Sequence, residues 1–170
     1  GNSDIVVWQV GALYQSRKTN SQFNWFSDWV EISERRADSF QVIQSEYDLA
    51  MQSKTASYIS DQIQILEEFS KVHWLTQEEE VIEDLIHYKI TGGHSLYHQV
   101  CWIKEQEEIL FFGADVAPQL QQMKSRFVAK YDLDGKLAME WRQQWWEKGQ
   151  EKNWTFAFYH DIKVPTYKAL

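Results

Sequence analysis

Short runs of β-branched and aromatic residues alternate with helix-patterned stretches along this chain, an order that confines it to a sheet carrying helices. Asp4 to Val10, Phe40 to Gln44, Val72 to Leu75 and Leu85 to Ile90 read as strands. Tyr97 to Ile103 and Ile109 to Phe112 read as a β-hairpin around the polar turn Lys104-Glu105-Gln106-Glu107. Trp154 to Tyr159 reads as a last buried strand ending at His160, with 163–170 an edge or a loop. Ser45 offers an N-cap for a helix through about Ser53, with Asp48 at the capping-box position. A second helix fits Ser57 to Ser70 on the spacing of Ile59, Ile63, Leu66 and Phe69. A longer one begins near Asp134 or Gly135, carries Leu137, Trp141 and Trp145 on one stripe, and has Gly149 as its C-cap. Residues 15–39 admit either a long loop or a helix around Trp25 to Arg36. The fold class is therefore α/β: a mixed sheet with helices on at least one face, in a single domain over 1–170.

Charge and composition narrow the function classes. A net charge of −8 repels phosphate backbones, so nucleic acid is not an expected partner. The acidic run Glu78, Glu79, Glu80, Glu83 and Asp84 reads as a solvated turn between two elements. The single cysteine, Cys101, excludes an intrachain disulfide and a multi-Cys zinc site; its strand-like surroundings predict a buried, inert thiol. No run of about 18 apolar residues occurs, so no membrane span is expected. The start Gly1-Asn2-Ser3-Asp4 lacks an initiator Met and is no signal peptide, which makes processing or cutting for expression, and a cytoplasmic location, the expectation.

Three loops each follow a strand and end in a metal-capable side chain: Thr91-Gly92-Gly93-His94-Ser95, Phe111-Phe112-Gly113-Ala114-Asp115 and Phe158-Tyr159-His160-Asp161. Two histidines and an aspartate suit zinc or a similar divalent ion, and open sheets build sites at strand ends. Taken singly, each residue reads more readily as a turn, a cap or an exposed polar group.

Their order and contexts carry more. Gly93-His94-Ser95 followed by His98-Gln99 resembles the Gly-His-Ser/Thr-x-x-His-Gln stretch of metallo-β-lactamase-fold hydrolases. Ile109 to Asp115 resembles their strand ending in Gly-Asp, with Ala114 intervening. Trp154 to Asp161 resembles their last strand with its terminal His, and Phe40 to Tyr47 their strand-to-helix step. The resemblance runs over about 40–165 and implies a partial αββα sandwich. It further implies that His94 belongs to a first metal site, that Asp115 bridges two metals, that His160 belongs to the second, and that His98 orients or packs beside them. The cofactor implied is zinc, one or two ions, with a metal-bound hydroxide attacking an ester-like or amide-like bond of a small-molecule substrate.

The departure from that pattern is the motif His-x-His-x-Asp-His, which none of the five histidines (His73, His87, His94, His98, His160) forms. Either the chain is a fragment, or the segment is deleted or replaced. With about two protein ligands per ion, one short of a usual catalytic site, the chain alone should bind zinc weakly and be inactive. A sheet face left bare by half a sandwich predicts a homo-oligomer. The alternative is a non-catalytic interaction protein on a degraded version of the same fold. His73 and His87 read as strand positions facing solvent or a polar neighbour. Lys124 and Arg126 are candidates to meet an anionic substrate, weighed against an ordinary surface helix or loop.

Overall fold

The computed structural model describes residues 5–7, 39–53 and 60–169, in two compact units, 1–76 and 77–170. The stretch before Ser39 that the sequence leaves open lies outside the described residues.

The first unit holds a parallel sheet of three strands, β1 (Ile5–Val7), β2 (Ser39–Ile43) and β3 (Val72–Leu75), in that order. Helix α1 (Gln44–Gln52) follows β2 without an intervening residue. Ser45 is therefore inside the first turn rather than at the cap. Ile43 occupies the cap position with no side-chain bond, and Gln44 Nε2 instead donates to Asp48 Oδ1 at 2.8 Å, four residues on. The second expected helix is short. Among the described residues α2 covers only Ser60–Ile63 and passes into a 3₁₀ helix, Gln64–Glu68. The buried Ile63 and Leu66 are three residues apart, and that spacing eclipses side chains in a 3₁₀ helix. They pack with Val42, Tyr47 and Ala50 into a small core.

The second unit holds a six-stranded mixed sheet: β4 (Glu79–Ile82), β5 (Ile86–Ile90), β6 (Gln99–Glu105), β7 (Glu108–Phe112), β8 (Thr155–Ala157) and β9 (Thr166–Lys168), in that order. All its neighbours are antiparallel except β7 and β8. The parallel pair needs a crossover, and the chain between them supplies α3 (Leu120–Lys124) and α4 (Gly135–Glu151). The expected hairpin is present as β6 and β7, turning through Gln106 with φ of 53°. The acidic run is a strand as well as a solvated surface. Glu79 and Glu80 lie in β4, and the chain turns through Glu83 and Asp84, both at positive φ, closed by Leu85 N–H to Ile82 O. Tyr88, fully buried, donates to Gln77 O and Glu80 Oε2, which pins this hairpin.

Alternation along the strands puts Val100, Phe111 and Phe156 on one face, where Trp145 and Ala138 of α4 cover them. Asp134 caps α4 by accepting from Leu137 N at 2.9 Å. Gly149 is not its C-cap; the helix continues to Glu151 and Lys152 takes that position. What Gly149 supplies is space, because a Cβ there would lie 2.2 Å from Phe156 Cζ. Lys124 stands over the rings of Tyr167 and Trp146, at 4.6 and 5.3 Å from their centroids, so its ammonium is engaged in packing rather than waiting for a substrate. Cys101 is partly buried, and burial pushes its thiol up to about 11, as expected of an inert group. None of the described helices is long and apolar enough to cross a membrane.

Candidate metal centre

The three loops singled out in the sequence all belong to the second unit and meet at one end of its sheet. His94 follows β5 through Gly92 and Gly93, both at positive φ. Gly93 is the position that only glycine fits. Its φ is +92°, and a Cβ would stand 3.1 Å from that of Ala138 in α4. Asp134 N–H to Gly93 O and Leu133 N–H to His94 O then lash the loop to the start of α4. Asp115 follows β7 in a 3₁₀ turn, Ala114–Val116. Ala114 is held at φ +46°, a conformation costing roughly 1–3 kcal/mol outside glycine, which redirects the chain just before the carboxylate. His160 follows β8, its N–H bonded to Pro118 O and its carbonyl accepting from Gln119 Nε2. Asp161 completes that loop by accepting from the backbone N–H groups of Val164, Leu120 and Lys163, the first above all holding its carboxyl below the usual range.

The side chains converge on Asp115. His94 Nε2 faces Asp115 Oδ2 at 3.8 Å, and His160 Nε2 faces Asp115 Oδ1 at 3.7 Å. These separations exceed a hydrogen bond. They are a few tenths longer than the roughly 3.4 Å between two donors about 2.1 Å from one tetrahedral ion. All three side chains keep an exposed edge, 20% for His94, 15% for Asp115 and 29% for His160. Among the described residues no three His, Cys, Asp or Glu side chains close round one point as a complete metal cage would. The donor set is thus two edges, each one imidazole and one oxygen, sharing a carboxylate. Imidazole and carboxylate donors of this kind suit a divalent ion, with further ligands required.

Around these three sit residues the sequence reading did not single out. Asp132, whose side chain is 1% exposed, accepts from His94 Nδ1 at 2.9 Å, which fixes the ring and leaves Nε2 as the nitrogen facing Asp115. Its other oxygen accepts from Ala129 N. Arg142, also buried, donates to the carbonyls of Val116 and Phe127 and offers Asp132 a counter-charge, although burial still lowers its pKa. Tyr159 donates its hydroxyl to Asp115 Oδ1, and its ring lies against His160 and Phe112. No local signal separates Asp132 from Asp134 in Tyr131-Asp132-Leu133-Asp134-Gly135; one orients an imidazole and the other caps a helix.

His98 lies beside the centre. Its ring meets that of His94 edge-on at 5.9 Å, and Nδ1 is 3.2 Å from Thr91 Oγ1. Burial, with His94 a smaller cause, pushes it down to about 3, so it packs as a neutral imidazole. His87 stacks on Trp102 at 5.3 Å and is no part of the centre, and His73 is exposed on β3 of the first unit.

No family model matches the sequence, and no curated protein matches it. Solved structures do match. A probable metal-dependent hydrolase from Staphylococcus aureus matches over 76% of this chain and 47% of its own, at 18% identity and a TM-score of 0.63. AidC, a dizinc quorum-quenching lactonase solved with its product, matches over 75% of this chain and 49% of its own, at 11% identity and a TM-score of 0.61. AbOPH, a hydrolase in the β-lactamase superfamily, matches over 76% and 50%, at 18% identity and a TM-score of 0.56. The protein thus has the fold of metal-dependent hydrolases of the β-lactamase superfamily, and it spans about half the length of these structures.

Proposed function

We propose that this chain is part of a metal-dependent hydrolase in which His94, Asp115 and His160 hold divalent ions, with zinc the expected metal. The observation that carries the reading is the pair of approaches to Asp115, one oxygen toward each imidazole Nε2. A bound ion of this type supplies a water of lowered pKa and polarises a carbonyl. The protein's own residues do the rest. Asp132 fixes the His94 ring through Nδ1, and the buried, neutral His98 packs against it. Tyr131 and Leu133, 69% and 67% exposed, sit at His94 and give the approach an apolar side. A small ester or lactone with an apolar portion suits that surface, and lactonases among the matching structures support the choice. The single-domain reading over 1–170 and association into a homo-oligomer belong to the same proposal. Ile103 and Leu110, paired across β6 and β7 on the face opposite α4, are partly exposed and are residues such association would cover.

The described residues offer about two ligands per ion, an imidazole and one oxygen of Asp115, so this chain should hydrolyse inefficiently. A longer chain carrying a His-x-His-x-Asp-His segment should bind two ions and turn over lactones, thioesters or phosphodiesters. The test is turnover by both chains in added zinc. Loss of the longer chain's activity in Asp115→Ala and His94→Ala, but not in His73→Ala, supports the proposal; turnover that survives Asp115→Ala refutes it. The second reading, a non-catalytic interaction protein on the same fold, is favoured by the exposed apolar Tyr131 and Leu133. It predicts that no chain length restores turnover.

A further inference from the structure

Tyr159 stands one residue before His160 and donates its phenolic hydrogen to Asp115 Oδ1, the oxygen that His160 Nε2 faces at 3.7 Å. The other oxygen, Oδ2, faces His94 Nε2 at 3.8 Å. The two sides of the carboxylate are therefore chemically unequal. On the His160 side an O–H already draws on the oxygen, and the phenol ring covers the imidazole, with centroids 3.9 Å apart. Phe112 backs the phenol at 5.8 Å, so the ring is wedged between two neighbours. An ion reaching Oδ1 must share that oxygen with a hydrogen carrying positive partial charge, or displace a charge-assisted hydrogen bond.

We propose that Tyr159 is a positioning residue that weakens ion binding on the His160 side of Asp115 and so makes the His94 side the preferred one. This rests on the reading of Asp115 as a shared ligand. It would set the order of loading and leave the His160 side as the exchangeable position.

The test is a Co²⁺ titration of the full 170-residue chain followed by visible absorption. Tyr159→Phe, which removes only the hydroxyl, should tighten Co²⁺ binding about tenfold. The gain should vanish in Tyr159→Phe/His160→Ala and persist in Tyr159→Phe/His94→Ala. In the unmodified protein, substoichiometric Co²⁺ should broaden the ring resonances of His94 before those of His160, a readout that needs no variant. Binding unchanged or weakened in Tyr159→Phe, or broadening of His160 first, overturns the proposal while leaving the centre standing. Co²⁺ binding equal in the unmodified chain and in Asp115→Ala removes the centre itself, and the inference with it.

Discussion

His94 and Asp132, 38 residues apart in sequence, are joined by a 2.9 Å bond from Nδ1 to a carboxylate that is 1% exposed. A buried carboxylate persists only when its charge is answered, and here Arg142, the His94 N–H and the Ala129 N–H answer it.

Asp132→Ala removes the acceptor of the His94 Nδ1 and Ala129 N–H bonds and a negative charge near the buried Arg142. The expected loss of stability is about 1–3 kcal/mol, read from urea unfolding. Asp132→Asn, which keeps an acceptor for His94, should cost less while still weakening Zn²⁺ binding roughly 10–100-fold. A loss below about 0.5 kcal/mol in the alanine variant would mean that water replaces the carboxylate as acceptor for His94 and Ala129.

Gly149→Ala sets two effects against each other. Alanine in a helix interior is better than glycine by about 1 kcal/mol. The new methyl would stand 2.2 Å from Phe156 Cζ and 2.7 Å from Cε2, against a ring that is fully buried and cannot swing aside. Overpacking of this kind costs typically about 1–3 kcal/mol, and so close a contact belongs at the upper end. The expected net loss is about 2 kcal/mol. In a Phe156→Leu background the same change should be neutral or favourable, and a double-mutant cycle measures the difference.

The same glycine shows where sequence reading reaches its limit. The start of α4 was legible because Asp134 and Gly135 precede an apolar repeat, a purely local pattern. Its end was not, because Gly149 answers to Phe156 on a strand beyond the helix. The β6–β7 hairpin was legible from alternation around a polar turn. β4 was hidden because Glu79, Glu80 and Val81 are all exposed and give a strand no apolar signature. The centre divides likewise. His94, Asp115 and His160 close recognisable strand-and-loop steps. Asp132 and Tyr159 reach their partners across 38 and 44 residues, a separation that only folding removes.

His98 makes stability depend on pH. Its folded pKa of about 3 lies below the ordinary 6.5, so between those values the unfolded chain binds a proton that the folded chain refuses. Stability is then present above pH 6.5 and lost as pH falls toward 3. Between pH 7 and 5 the loss from this group is about 2 kcal/mol. Unfolding free energies at both pH values should show a slope steeper by that amount in the unmodified protein than in His98→Gln. Equal slopes would mean that the imidazole is reached by water or protonated when folded.

Zinc binding should be visible as stabilisation, and its loss pattern identifies the ligands. An ion bound only by the folded state adds RT ln(1 + [Zn²⁺]/Kd), about 1.4 kcal/mol at ten times Kd. For a chain of this length that raises Tm by roughly 3–5 °C. With an imidazole and one oxygen on each side of Asp115, the dissociation constant should be far weaker than that of a complete site, so the shift should require high micromolar to millimolar zinc. Asp115→Ala takes the shared oxygen from both sides and should abolish the shift. His94→Ala and His160→Ala should each remove part of it. His73→Ala, exposed on β3 in the other unit, should leave it intact. A shift that survives Asp115→Ala but fails in His73→Ala would place the ion elsewhere. A full shift at submicromolar zinc would mean that the chain supplies ligands beyond these three.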